Sequence, residues 1–148
     1  MRISKLGLVL VLGMMLAAAQ GCRFSFTTAN ISSLKLSKDE TGATEAGAFS
    51  RGDAIYAIAA VSNVPDKVTL KWRLYTEKVS GQPENEPVPQ FDTSLELTGS
   101  GDSTYTLTPG PTGWPAGRYR IEVSMLAENG EQKDQKATTF NVGGEGAD

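Results

Sequence analysis

Between residues 31 and 142 the chain alternates short apolar runs with clusters of Gly, Pro, Asn and Asp, and helical periodicity is nearly absent. Val68, Leu70, Trp72 and Leu74 alternate with Thr69, Lys71, Arg73 and Tyr75, a period of two that predicts a strand buried on one face over 68–75. The same period recurs in Tyr119, Ile121, Val123 and Met125 against Arg118, Arg120, Glu122 and Ser124, predicting a strand over 118–127. Leu34 and Leu36 mark a strand over 31–37, Leu95 and Leu97 one over 93–98, Tyr105 and Leu107 one over 103–108, and Phe140 and Val142 one over 136–142. The run 53–61 is apolar in both phases, so its core face is not assigned by pattern.

Turn chemistry separates these runs. The stretch from Gly99 to Asp102 is a turn, and Asn129-Gly130 offers two positive-φ positions for a tight hairpin between the last two strands. The segment Glu77 to Asp92, with Pro83, Pro87 and Pro89, reads as a long connection without structure, the kind of loop on which a binding role would sit. Seven short strands with no helical pattern indicate an all-β sandwich or barrel.

The N-terminus follows different rules. Arg2 and Lys5 precede fourteen uncharged residues, Leu6 through Ala19, too few to cross a bilayer, which takes about 20 helical residues. Such a layout reads as an export signal. The sequence Leu16-Ala17-Ala18-Ala19-Gln20-Gly21-Cys22 resembles the lipobox of bacterial lipoproteins, with Ala19 and Gln20 where that pattern usually has a leucine and a small residue. The resemblance implies cleavage after Gly21, a diacylglycerol on the Cys22 thiol, acylation of its freed amine with a fatty acid such as palmitate, and a membrane anchor without a transmembrane helix. Acyl chains contribute about 0.8 kcal/mol per buried methylene, so several chains hold firmly where one does not. Arg23 stands where lipoproteins retained in the inner membrane commonly carry aspartate, which implies the outer membrane.

Four segments are thus expected: 1–21 signal peptide, 22–30 tether, 31–142 β-sandwich and 143–148 flexible tail. Composition narrows the chemistry. The chain of 148 residues has no histidine and one cysteine, which excludes Ser-His and Cys-His nucleophile pairs, the usual zinc sites and an internal disulfide. After the expected cleavage 12 basic and 17 acidic side chains remain, a formal charge of −5 that gives nucleic acid no basic face to bind. No catalytic residue, metal ligand or cofactor is assigned. Glu96 and Glu122, the acids inside predicted strands, both fall in the outward phase.

Seven strands, a tryptophan on the third, and Tyr119 at the start of the sixth with Gly117 two residues before it together resemble the skeleton of an immunoglobulin-like sandwich. The stretch from Gly113 through Val123, with its Trp114-Pro115-Ala116-Gly117-Arg118-Tyr119 core, is similar to a segment of bacterial Ig-like and fibronectin type III-like lipoprotein domains. The resemblance implies a seven-stranded antiparallel sandwich in which Ile58 and Ile121 take the places of the bridging cysteines against Trp72. It also implies that the Tyr119 hydroxyl reaches a backbone group a few residues upstream. Trp114 and Tyr75 are candidate binding aromatics, with Trp114 alternatively plugging the end of the sandwich. The functional expectation is a non-catalytic, lipid-anchored envelope module that recognises a protein by strand addition or through the 77–92 loop, or else captures a small molecule or glycan through those aromatics. Mass spectrometry of the mature protein checks the anchor: the wild type should carry the mass of a diacylglycerol and an acyl chain at Cys22, and Cys22→Ala should carry neither.

Overall fold

The computed structural model describes residues 28–143. The expected signal segment, Cys22, most of the tether and residues 144–148 lie outside the described residues. Among the described residues nine strands follow one another: β1 (Asn30–Ser37), β2 (Ala48–Ser50), β3 (Ile55–Ser62), β4 (Lys67–Val79), β5 (Glu86–Pro87), β6 (Thr93–Thr98), β7 (Gly101–Leu107), β8 (Gly117–Ala127) and β9 (Gln132–Gly143), with a 3-10 turn at Pro89–Phe91. One sheet has the order β1-β3-β7. The other runs β2-β9-β8-β4, and both β5 and β6 pair with the far side of β4. All pairings are antiparallel except β2 with β9. This is an all-β, immunoglobulin-like sandwich, and all seven strands read from the pattern are present.

The two patterns that were clearest in the sequence form the centre. β4 and β8 pair with Trp72 opposite Val123 and Leu74 opposite Ile121. Val68, Leu70, Trp72 and Leu74 from β4 and Tyr119, Ile121, Val123 and Met125 from β8 are all buried in one cluster. Period two carries through because one face of this sheet is sealed against the other sheet and the opposite face is wet.

Strand β3 corrects one expectation. Its core phase is Ile55, Ala57, Ala59 and Val61, and Ile58 points out of the other face of its sheet. Ile58 is buried even so, because the loop after β1 lies over it: a Cβ on Gly42 would come within 2.7 Å of the Ile58 Cδ1. The inner places at mid-strand belong to two alanines, Ala57 and Ala59, in the same buried cluster as Trp72. A run apolar in both phases is what a strand covered on both faces requires.

One turn also differs from its sequence reading. At the β8–β9 hairpin only Gly130 has positive φ, at 85°, while Asn129 does not. Gly130 N donates to Ala127 O at 2.9 Å and Ala127 N to Glu131 O at 2.8 Å, so the loop has three residues, a turn followed by a left-handed glycine. The Gly99 turn joins strands that do not pair with each other: it carries the chain from β6, on β4, across to β7, on β3.

The loop covering Ile58 is held by one carboxylate. Asp39 accepts hydrogen bonds from the Ala43 amide at 3.1 Å, the Thr44 amide at 2.6 Å, and the hydroxyls of Ser37 and Thr41. The Thr41 hydroxyl and then Thr44 hold the Asp39 carboxyl well below the usual carboxylate range. A depressed folded-state pKa gives stability that is complete above the unfolded value of about 4 and is lost as pH falls toward the folded one. Protection factors of the amides in residues 38–46, taken against the intrinsic exchange rate at each pH, should therefore fall on acidification below about pH 4 in the wild type, and Asp39→Ala should show low protection at neutral pH that changes little on acidification.

Candidate functional site

At the closed end of the sandwich, the β8 corner is built from aromatic rings. Tyr119 stacks on Phe140 with centroids 5.3 Å apart, Trp114 meets Tyr119 at 6.0 Å, and Phe91 meets Trp114 at 5.1 Å. The Tyr119 hydroxyl donates to Pro115 O at 2.7 Å, the backbone contact four residues upstream that the resemblance implied. Burial pushes the Tyr119 hydroxyl pKa up, Arg51 nearby working against it. Gly117 has φ of 150°, and a Cβ there would lie 2.6 Å from the Val79 Cα, so only glycine fits where β8 leaves the corner.

Trp114 is therefore not an exposed anchor. It is 3% exposed, and its indole N–H donates to Asp53 O at 2.9 Å. Its main chain is fixed as well, since Trp114 N donates to Arg51 O and Arg51 Nε to Trp114 O. Of its two sequence readings the plug is the one observed. The polar atom of the ring, which would be the handle for a ligand, is already in use.

Tyr75, the other candidate aromatic, lies on the outer face of the β4–β8 sheet beneath the Arg120 guanidinium, which sits 4.5 Å from the ring centroid. Around it the face is stitched by charge. Glu77 takes Arg118 Nε at 2.9 Å and Arg120 NH1 at 3.2 Å, while Glu122 takes Arg120 Nε at 3.0 Å. Arg120 also donates to Asn85, and Gln135 to Glu122. Burial disfavours the Arg120 charge, but the hydrogen bonds to Glu77 and Glu122 outweigh it and raise its pKa. Arg73 pairs with Asp92 at 3.3 Å. Of the basic residues Lys71, Arg73, Arg118 and Arg120, three are thus engaged by acids. The capture of a small molecule through Tyr75 and Trp114 loses its footing, because one ring is buried and the other is covered.

The segment from Glu77 to Asp92 is not structureless. Tyr75 and Thr76 of β4 pair with Pro87 and Glu86 of β5, Thr76 Oγ1 reaches Pro83 O at 3.0 Å, and Phe91 packs against the core. A two-residue strand of Glu and Pro carries no periodic signal, and the buried Thr76 that organises it lies outside the segment's last turn signals. Nor do the strand acids form a reaction centre. Glu96 pairs with Lys67 at 2.8 Å with its side chain 65% exposed, and Glu122 is tied to Arg120. Among the described residues no group of three or more His, Cys, Asp or Glu side chains could hold a metal ion.

What remains open is main chain. β2 occupies the outer edge of β9 only at Asn141, Val142 and Gly143, and Asn141 N donates outward to Gly47 O. By strand alternation the amides of Ala137 and Thr139 point the same way, and among the described residues nothing accepts from them. Next to this edge lies a shallow groove of about 440 Å³ lined by Leu34, Lys35 and Leu36 of β1, Glu45 to Gly47, and Thr138 and Thr139. It exists because the chain after Ala46, whose N–H still donates to Leu36 O, crosses from the β1 sheet to the β9 sheet. Below that crossing both sheet edges are bare. No periodicity announces such an edge.

No family model matches the chain, and no curated protein matches it. Several solved structures are similar in shape. The alkylpurine DNA glycosylase AlkC of Pseudomonas fluorescens, bound to DNA containing an abasic site analog, aligns with 78% of this chain at 14% identity and a TM-score of 0.48. The chain spans 30% of the glycosylase. The PmoD soluble domain of Methylocystis sp. ATCC 49242 (Rockwell) aligns with 74% of this chain over 89% of its own, at 14% identity and a TM-score of 0.45. An immunoglobulin-like protein of Pseudomonas aeruginosa aligns with 80% of this chain over 99% of its own, at 12% identity and a TM-score of 0.45.

The corner yields a direct test. Tyr119→Phe removes one hydroxyl and leaves Pro115 O without its donor, so thermal or denaturant unfolding should show a loss of about 1–2 kcal/mol with the far-UV circular dichroism of the folded state unchanged.

Proposed function

We propose that this chain is an exported, lipid-anchored module of the bacterial cell envelope, held through Cys22 at the outer membrane, which recognises an envelope protein by strand addition along β9 and catalyses no reaction. The observation that carries this reading is the bare edge from Gln135 to Thr139, with outward amides at Ala137 and Thr139 and a shallow groove of mixed polar and apolar lining beside it. β2 already adds to this edge in the parallel sense, and a partner strand would continue the line that β2 leaves at Ala48. Main-chain hydrogen bonds would supply register, and the half-buried Leu34 beside the edge would receive an apolar side chain, while Leu36 beneath it stays in the core. The paired outer face supports the same choice, since its charges are already satisfied by one another.

Proline at position 137 removes one outward donor and leaves the β8 ladder intact. With a photo-crosslinking residue at Thr139 in cells, the mature protein should give a discrete crosslinked species, and Ala137→Pro should abolish it while unfolding stays within about 1 kcal/mol of wild type. A crosslink that survives Ala137→Pro, or one obtained equally from Lys71 on the outer face, would show that the edge is not the contact.

A further inference from the structure

The turn between β8 and β9 places a reactive side chain where the fold leaves it open. The chain has five asparagines, and the residues that follow them are Ile31, Val64, Glu86, Gly130 and Val142. Only at Asn129 is the next amide nitrogen unshielded by a side chain. Asn129 and Gly130 are both exposed, and a Cβ placed on Gly130 would find nothing within 4 Å. Asn129 Oδ1 accepts from the Glu131 amide at 3.0 Å, an arrangement that folds the carboxamide back along the chain past the Gly130 nitrogen. The same hydrogen bond is positioned to take up negative charge developing on Oδ1.

We propose that Asn129 is a site of spontaneous deamidation, a covalent change in the hairpin that aims β9. The Gly130 nitrogen, its proton lost to hydroxide, bonds to the Asn129 Cγ, and the π pair of the carbonyl moves to Oδ1 under the Glu131 amide. Collapse of that intermediate breaks the Cγ–Nδ2 bond, and the nitrogen takes a proton from water and leaves as ammonia. A five-membered succinimide remains. Water then opens it at either carbonyl, giving aspartate or isoaspartate at position 129, so that one water enters and one ammonia departs overall. No oxidant or reductant takes part.

The Gly130 N–H that must ionise donates to Ala127 O at 2.9 Å, and this bond opens for the attack. It is the one contact that opposes the reaction, and it lies in a solvent-exposed turn, where opening has little free-energy cost. Aspartate keeps an oxygen for the Glu131 amide and leaves the turn in place. Isoaspartate puts an extra methylene into the main chain of a three-residue loop. That loop sets the bulged register in which Met125 faces Asp134 and Leu126 faces Gln132, so the lengthened form shifts the start of β9. Either product adds a negative charge between Glu128 and Glu131.

The test follows the folded protein for several days in mildly alkaline buffer at body temperature, with the same chain in urea alongside and peptide mapping by mass spectrometry. A gain of about 1 Da confined to the peptide carrying Asn129, faster as pH rises, with an isoaspartate fraction and with released ammonia to match, is expected in the folded sample. Asn129→Gln should stay unmodified, since its ring closure would need a six-membered intermediate. Should the folded protein stay unchanged at Asn129 while the urea sample converts, the Ala127 hydrogen bond protects the turn and the proposal is overturned. A mass gain that persists in Asn129→Gln places the reaction at another residue and overturns it equally.

Discussion

The interior of this sandwich is organised by the register between β4 and β8, which brings Trp72 opposite Val123 and stacks four apolar residues from each strand on one face. Burying an indole removes about 150–250 Å² from water, worth roughly 4–6 kcal/mol at about 25 cal/mol for each Å². Set against this, the Trp72 Nε1–H has no hydrogen-bond partner among the described residues, at a cost of about 1–3 kcal/mol. The burial term is the larger, so the ring stays in, tilted against Tyr105 with centroids 5.6 Å apart. Ala57 and Ala59 of β3 belong to the same buried cluster.

From that centre the molecule divides into a satisfied face and an incomplete edge. The outer face of β4 and β8 holds Glu77, Arg118, Arg120 and Glu122 in a chain of contacts that also covers Tyr75. Partly buried pairs linked in this way hold their geometry better than isolated surface pairs, which contribute about 0–1 kcal/mol each. The edge of β9 is closed at one end by β2 and at the other by the Asp134 carboxylate, which accepts from Ile31 N at 2.8 Å. Lys136, on the inward phase beside Asp134, is a charge of the kind that discourages unplanned pairing along a bare strand. The open window is thus short and bounded, which suits a specific strand partner better than indiscriminate aggregation.

Strands with one buried face were legible residue by residue. Val68 to Leu74 and Tyr119 to Met125 alternate because each side chain has a single environment, and the Tyr119 corner was implied by the resemblance of the Gly113 to Val123 stretch to Ig-like domains. Legibility failed where two environments coincide or where main chain acts alone. Ile58 looked like a core partner for Ile121, but its phase is set by which β3 face meets the other sheet, and a covering loop buries the wrong face too. Asn129 resembled a positive-φ position, yet the turn took the three-residue form and needed only Gly130. Trp114 read as a plug ahead of an anchor, and the Asp53 carbonyl that takes its N–H is supplied by a segment far away in the chain.

The order of apolar and polar residues was by itself sufficient to determine an all-β chain, sandwich or barrel, and composition alone excluded histidine chemistry and an internal disulfide. It also sets apart the N-terminal apolar run ahead of Cys22, where an export signal is expected. Tertiary structure alone decided which face of β3 is inside, that β6 and β7 belong to different sheets, and that the outer amides of β9 are left bare. Those outcomes depend on contacts between segments far apart in the chain, and local periodicity reports only the environment of a side chain, not the partner on the other side of its backbone.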